Sequence, residues 1–236
     1  MADECGNQLH HSAAEGSAVS DTMRSGGADT GPATGPAQRP VRILFVCTAN
    51  RIRSPFAAAL TTKLAAEHGL TIDVSSAGLT GDDEPAAESM VRTAKAFDVD
   101  LSAHRSRSVT AAVLEWADLV VTMTGRHVLS IVTIDTAARS RTLTLGEWAA
   151  AVRVDGPAPE WAATTKSATS RTLVVPAWTP QAIGGWARRV TDRPVDALLS
   201  RSTDVADPVG RAQRQFRRTA QEIDRLLRDG LGIGGD

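Results

Sequence analysis

The chain has 236 residues, 42% of them hydrophobic but only 4% aromatic, and 26 basic against 27 acidic residues give a formal net charge of −1. That length supports a proper hydrophobic core in one generous domain or two small ones, and the charge balance leaves no global field to draw in nucleic acid or an anionic membrane. Two cysteines exclude a disulfide scaffold, and the five histidines (His10, His11, His68, His104, His127), none in an HxxxH spacing, leave no thiolate-rich or helical zinc site.

Taken in chain order, residues 1–39 carry almost no large apolar side chains, so they cannot bury enough surface to offset their ordering entropy and read as a disordered tail. Asp3 and Glu4 stand where a signal peptide needs positive charge, and no run of about eighteen apolar residues follows anywhere, so the expected setting is cytoplasmic. A single domain is expected over residues 40–236. It opens on Val41-Arg42-Ile43-Leu44-Phe45-Val46-Cys47, a short apolar run typical of a strand covered on both faces. Ser54-Pro55 reads as the start of a helix, Ser capping and Pro in the first position, which Gly69 ends. Further strands are expected at 72–76, 119–123 and 142–145. Helices are expected at 84–97, 111–117, 126–132 and 211–227. The last carries Ala212, Phe216, Ala220, Ile223 and Leu227 on one stripe, with the arginines from Arg211 to Arg228 forming its solvated face. Between them, residues 149–203 are broken by five prolines and leave room for one or two short helices in 178–199. Strands alternating with helices predict a three-layer α/β sandwich around a four-stranded parallel sheet. The five tryptophans (Trp116, Trp148, Trp161, Trp178, Trp186) read as packing residues.

The chemistry concentrates between the first strand and the first helix, in Cys47-Thr48-Ala49-Asn50-Arg51-Ile52-Arg53-Ser54. Cys and Arg separated by five residues is a cheap coincidence on spacing alone. Its place at the carboxyl end of a parallel strand, facing a helix N-terminus, is where α/β proteins bind anions. A loop of this length can turn the N–H groups of Thr48, Ala49, Asn50, Arg51, Ile52 and Arg53 onto a tetrahedral anion. The helix end and Arg53 favour a Cys47 thiolate, Arg53 can clamp two phosphate oxygens, and Ser54 can donate to the sulfur. A thiolate attacking a phosphate ester leaves an alkoxide or phenoxide that needs a proton, so a carboxyl group on a loop is required. Asp207, in the chain's only Asp-Pro dipeptide and just before the last helix, is the candidate, with Asp204 the substitute. None of this requires a metal or a cofactor.

With these residues in this order, the chain resembles the low-molecular-weight protein tyrosine phosphatases over about 41–148 and 204–230. The resemblance implies a phosphorylated protein substrate, Cys47 as nucleophile, Arg53 as phosphate binder, Ser54 as the thiolate's partner and Asp207 as general acid and base. It also implies that Asn50 holds the loop in a strained shape, supported by Ser76 and His104. Several positions depart from the family. Ile52 stands where many members have a second, redox-protective cysteine. Val209-Gly210 replaces the tyrosines that wall the crevice in eukaryotic members, and the other wall falls near residues 80–82, without an aromatic ring. Arg51 stands where the phosphoarginine branch has Thr, which would repel a guanidinium substrate. Residues 149–203 exceed the family's usual length as a helical insertion before the Asp-Pro loop. Two rivals share the loop: an arsenate reductase, which would have to borrow an external thiol because no cysteine follows Cys47, and a phosphate-binding module without turnover.

Overall fold

A computed structural model describes residues 39–155, 180–192 and 203–233. The expected tail therefore lies outside the described residues up to position 38, as do 156–179 and 193–202 of the expected insertion, with Trp161 and Trp178. The elements in chain order are β1 (Val41–Cys47), α1 (Arg53–His68), β2 (Ile72–Gly78), β3 (Asp82–Pro85), α2 (Glu88–Ala94), β4 (Arg105–Arg107), α3 (Ala111–Trp116), β5 (Leu119–Thr122), α4 (Gly125–Ile134), β6 (Thr142–Thr144), α5 (Leu145–Asp155), α6 (Pro180–Thr191) and α7 (Gln213–Leu231). Short 3-10 turns follow α2 at Lys95–Phe97 and α4 at Thr136–Arg141.

The expected parallel sheet forms, in the order β2-β1-β5-β6. Its faces are set by the two-residue period of a strand. From β1, Ile43, Phe45 and Cys47 enter a large cluster with α1, α5, α6 and α7, whereas Leu44 and Val46 enter a smaller one with α3 and α4. From β5, Leu119 and Val121 divide from Val120 in the same way. Two apolar faces explain why β1 reads as a continuous hydrophobic run rather than an alternating one.

Several boundaries differ from expectation for identifiable reasons. Helix α1 begins at Arg53, so Ser54 sits inside its first turn and its hydroxyl is spent elsewhere than on capping; Gly69, at φ 65°, ends the helix as expected. The segment 84–97 is not one helix. Asp82–Pro85 pairs antiparallel with Arg105–Arg107, across α2, in a two-stranded sheet that the sequence pattern did not reveal, because two short, largely exposed, charged strands carry no apolar alternation. Helix α7 buries Phe216, Ala220, Ile223 and Leu227 as expected, but Ala212 precedes the helix and is exposed.

Ala149 and Val152, at the start of the expected insertion, belong to the core beside Trp148. Trp148 of α5 is fully buried, 6.4 Å in ring-centroid distance from Phe45, and lies flat enough on α7 that a Cβ at Gly230 would come within 2.7 Å of its ring. Trp186 and Ala187 of α6 are buried in the same cluster. Trp116 is half-buried, with the Arg42 guanidinium 5.6 Å above its ring. Among the described residues no helix is long and apolar enough to cross a membrane.

Candidate active site

The chain leaves β1 at Cys47 and enters α1 at Arg53, and everything the loop between them does follows from where its carbonyls go. Those of Cys47 and Thr48 accept from the amides of Leu79 (3.0 Å) and Thr80 (2.8 Å), that of Arg51 from Ala87 N (2.8 Å), and that of Asn50 from His104 Nε2 (2.7 Å). All four acceptors are therefore satisfied outside the loop. In a trans peptide the N–H points opposite to the C=O, so the amides of Thr48, Ala49, Arg51 and Ile52 are directed the other way, into the loop's hollow. There a crevice of about 280 Å³ is lined by Cys47, Thr48, Ala49, Arg51, Ile52, Arg53, Ala87, Asp207 and Val209. A ring of converging amides is an anion-binding concavity.

Asn50 makes this shape possible. Its φ is +52°, in the left-handed region that Asn tolerates better than most side chains. The fully buried side chain is satisfied on both ends: Nδ2 donates to Ser54 Oγ and Ser76 Oγ, both at 2.9 Å, and Oδ1 accepts from Arg107 N at 3.1 Å. Ser54 Oγ, already accepting from Asn50, has Cys47 Sγ at 3.0 Å and the Ala77 carbonyl at 3.3 Å as destinations for its own proton. The structure thus brings together Cys47, Asn50, Ser54, Ser76 and His104, which are spread over 58 positions of sequence.

Arg53 is buried at 3% exposure. Its Nη1 donates to Val205 O (3.1 Å), and its Nη2 donates to the Asp207 carboxylate and, at 3.5 Å, to Thr48 Oγ1. Among the described residues its Nε is buried without a hydrogen-bond partner. Asp207 arrives from the far end of the chain because Val205 N is anchored on Met123 O (2.8 Å) at the end of β5, and its Oδ1 accepts from Val209 N (3.0 Å), which fixes the turn. Asp204, the substitute, accepts instead from Gly125 N (2.8 Å) at the start of α4.

Two expectations about the crevice change. Its apolar walls are Ile52, Ala87 and Val209, the last 65% exposed, and not residues 80–82: Thr80 is turned onto Thr48 O, and Asp82 pairs with Arg107 in the small two-stranded sheet. His127 also joins the site, with its Nε2 3.1 Å from Thr48 Oγ1. Burial first, and the Arg53 charge second, push this ring down to about 4 against the opposing pull of Asp207, so it is neutral near pH 7. A signal for it existed in the sequence. It stands just past the carboxyl end of β5, beside β1, and that is the end of a parallel sheet where sites assemble. Arg51, at the rim, donates from Nε to Pro85 O at 2.9 Å and lies 3.9 Å from Glu84.

Comparison with known proteins gives a consistent picture. Residues 42–166 match the model of the family described as low molecular weight phosphotyrosine protein phosphatase, a span that includes the loop and stops short of Asp207. A protein-arginine-phosphatase of Geobacillus stearothermophilus is 37% identical over 112 residues, 46% of this chain and 72% of that protein. The low molecular weight protein-tyrosine-phosphatase Wzb of Salmonella typhi is 34% identical over 111 residues, 45% of this chain and 70% of that protein. A crystal structure of a YwlE mutant from Bacillus subtilis superposes with a TM-score of 0.57 at 26% identity, covering 81% of this chain and 97% of that one.

Proposed function

The chain belongs to the low molecular weight phosphotyrosine protein phosphatase family, whose chemistry is cysteine-based phosphate hydrolysis, and from that premise we propose that it hydrolyses phosphoprotein monoesters, phosphotyrosine foremost, through a phosphocysteine. The observation that carries this reading is the juxtaposition of the Cys47–Ser54 contact at the floor of the crevice with the Arg53–Asp207 pair in its wall.

Cys47 Sγ attacks phosphorus from the floor of the loop. The S–P bond forms as the bond from phosphorus to the leaving oxygen breaks. Ser54 stabilises the sulfur's negative charge, and the inward amides with the Arg53 fork hold the phosphoryl oxygens as their charge grows. Incoming phosphate takes over Arg53 donors that Asp207 holds in the free protein, which releases the carboxyl group towards the leaving oxygen. Protonated Asp207 gives its proton to that oxygen. The resulting carboxylate then accepts a proton from the water that attacks phosphorus and breaks the S–P bond, returning thiolate and inorganic phosphate.

Preference for an aryl ester draws support from the rim. Val209, Ile52 and Ala87 offer apolar contact to a ring, and the Arg51 cation disfavours a guanidinium phosphate. The purified protein is expected to hydrolyse para-nitrophenyl phosphate at mildly acidic pH without added metal, with vanadate inhibiting. Cys47→Ser abolishes turnover, and activity surviving that change would overturn the mechanism. Asp207→Ala lowers kcat on poor leaving groups by about 10²–10⁴-fold, the range for general acid catalysis, with phosphate binding retained. An equal loss in Asp204→Ala alone would move the acid. A panel of phosphotyrosine, phosphoserine and phosphoarginine peptides tests the substrate; faster turnover of the phosphoarginine peptide would assign the site to guanidinium phosphates instead.

A further inference from the structure

The arginines of α7 are not one uniform solvated face. In its C-terminal half Arg225 pairs with Asp229 at 3.3 Å and Arg228 with Asp224 at 3.0 Å, ordinary i,i+4 pairs. Just before its start and in its first turns, Arg211, Arg214, Arg217 and Arg218 are all exposed, and none has a carboxylate partner among the described residues. Of the carboxylates nearby, Asp204 is held by Gly125 N and Glu88 by Arg92, on the helix whose Ser89 O and Thr93 Oγ1 accept from Gln213, while Asp207 pairs with Arg53 until phosphate displaces it.

Two of these free cations, Arg211 and Arg214, line a groove together with Ala206, Asp207, Ala212 and Gln215. Asp207 is common to this groove and to the crevice, so the two depressions adjoin. The groove holds about 370 Å³, near the lower end of ligand-sized clefts. A peptide whose phosphorylated side chain enters the crevice must lay its neighbouring residues along the rim. On this side, that rim presents two positive charges, neither in an ion pair among the described residues.

We infer that this groove binds acidic side chains flanking the phosphoresidue, and that Arg211 and Arg214 select substrate proteins by that local charge. The inference rests on the phosphatase reading above and adds the sequence context of its substrate. Exposed pairs of this kind are individually weak and salt-sensitive, so the selectivity is a matter of several-fold in kcat/KM and not of an absolute requirement.

The test compares two phosphotyrosine peptides of equal length, one with Asp or Glu beside the phosphoresidue and one with Asn or Gln. The ratio is read both as kcat/KM in the wild type and as affinity for the Cys47→Ser protein. We expect the acidic peptide to be favoured about three- to tenfold at low salt, the ratio to fall towards one in 0.5 M salt on the order of a 4 Å screening length, and Arg211→Glu with Arg214→Glu to abolish or invert it. Arg217→Glu with Arg218→Glu, outside the groove, shifts the ratio less. Equal handling of the two peptides by the wild type, a preference surviving the Arg211/Arg214 change, or an equal shift in the Arg217/Arg218 protein would each overturn the groove. Absence of turnover with the binding preference intact would overturn the phosphatase reading and leave the groove standing.

Discussion

At φ +52°, Asn50 holds a backbone conformation that its own amide makes worthwhile: one side chain ties the loop to α1 through Ser54, to β2 through Ser76 and to β4 through the Arg107 amide. Asn50→Ala removes all three bonds, strands the buried Ser and amide partners and keeps the strained φ. It should therefore cost about 1–3 kcal/mol in denaturant unfolding and lower kcat/KM by at least tenfold. Asn50→Gly relieves the strain and should recover part of the stability without the activity. A loop that tolerates both changes at full activity would show that the network is incidental. Asn50's importance was legible in the sequence only through the family resemblance, because its partners Ser76, His104 and Arg107 are distant in the chain and each, taken alone, is an ordinary strand-end or turn residue. His127 shows the complementary case. It lay outside the motif, and only the folded sheet puts its ring against Thr48.

At the scale of elements, the site depends on a close approach between the end of β2 and the loop that leaves β1. Parallel pairing sets Cys47 opposite Gly78, and a Cβ on Gly78 would lie 2.8 Å from Ala49 C, Asn50 N and Thr48 O. These are backbone atoms with no flexible end to swing aside. Gly78→Ala must therefore push the loop off β2 and loosen the bonds from Leu79 and Thr80 that turn its carbonyls outward. The expected outcome is a kcat/KM loss of tenfold or more, with a stability cost of about 1–3 kcal/mol as for other overpacked sites. Activity at the wild-type level, in a variant whose spectrum and melting are unchanged, would mean that the amide ring does not depend on this contact. The strands β1 and β5 were legible at this scale because they are apolar on both faces. The β3–β4 pair and the extent of α5 were not. The pair buries no apolar residue that would leave a period in the sequence, only Ser106, and α5 follows β6 without a loop to announce it.

For the molecule as a whole, acid should be the weakness. A histidine that titrates near 6.5 when unfolded and at about 4 when folded is protonated in the unfolded chain first. Its contribution to stability is complete above about pH 6.5 and is lost as the pH falls towards 4, up to about 3 kcal/mol. Asp118 acts in the same direction. Burial works to raise its carboxyl, but the hydrogen bonds from Arg39 and from Arg42 N outweigh it and hold the group below the usual aspartate range, so the stability it adds is lost when acid protonates it. Denaturant midpoints measured between pH 7 and 4.5 should fall, and His127→Gln should flatten the part of that slope between 6.5 and 4.5. An identical slope in the variant would remove His127 from the account.

The sequence by itself determined the layers and marked out the Cys47–Ser54 loop, because burial on two faces and the order Cys47, Arg53, Ser54-Pro55 are written in consecutive residues. Only the tertiary structure decided which distant groups complete the site. Asp207 rather than Asp204 lines the crevice, Ile52, Ala87 and Val209 form its walls, His127 stands beside Thr48, and Arg211 and Arg214 have no ion-pair partner among the described residues. Such assignments depend on distances of a few ångströms between chain segments up to 154 positions apart. Those distances are products of strand order and helix packing, which no local pattern of residue types encodes.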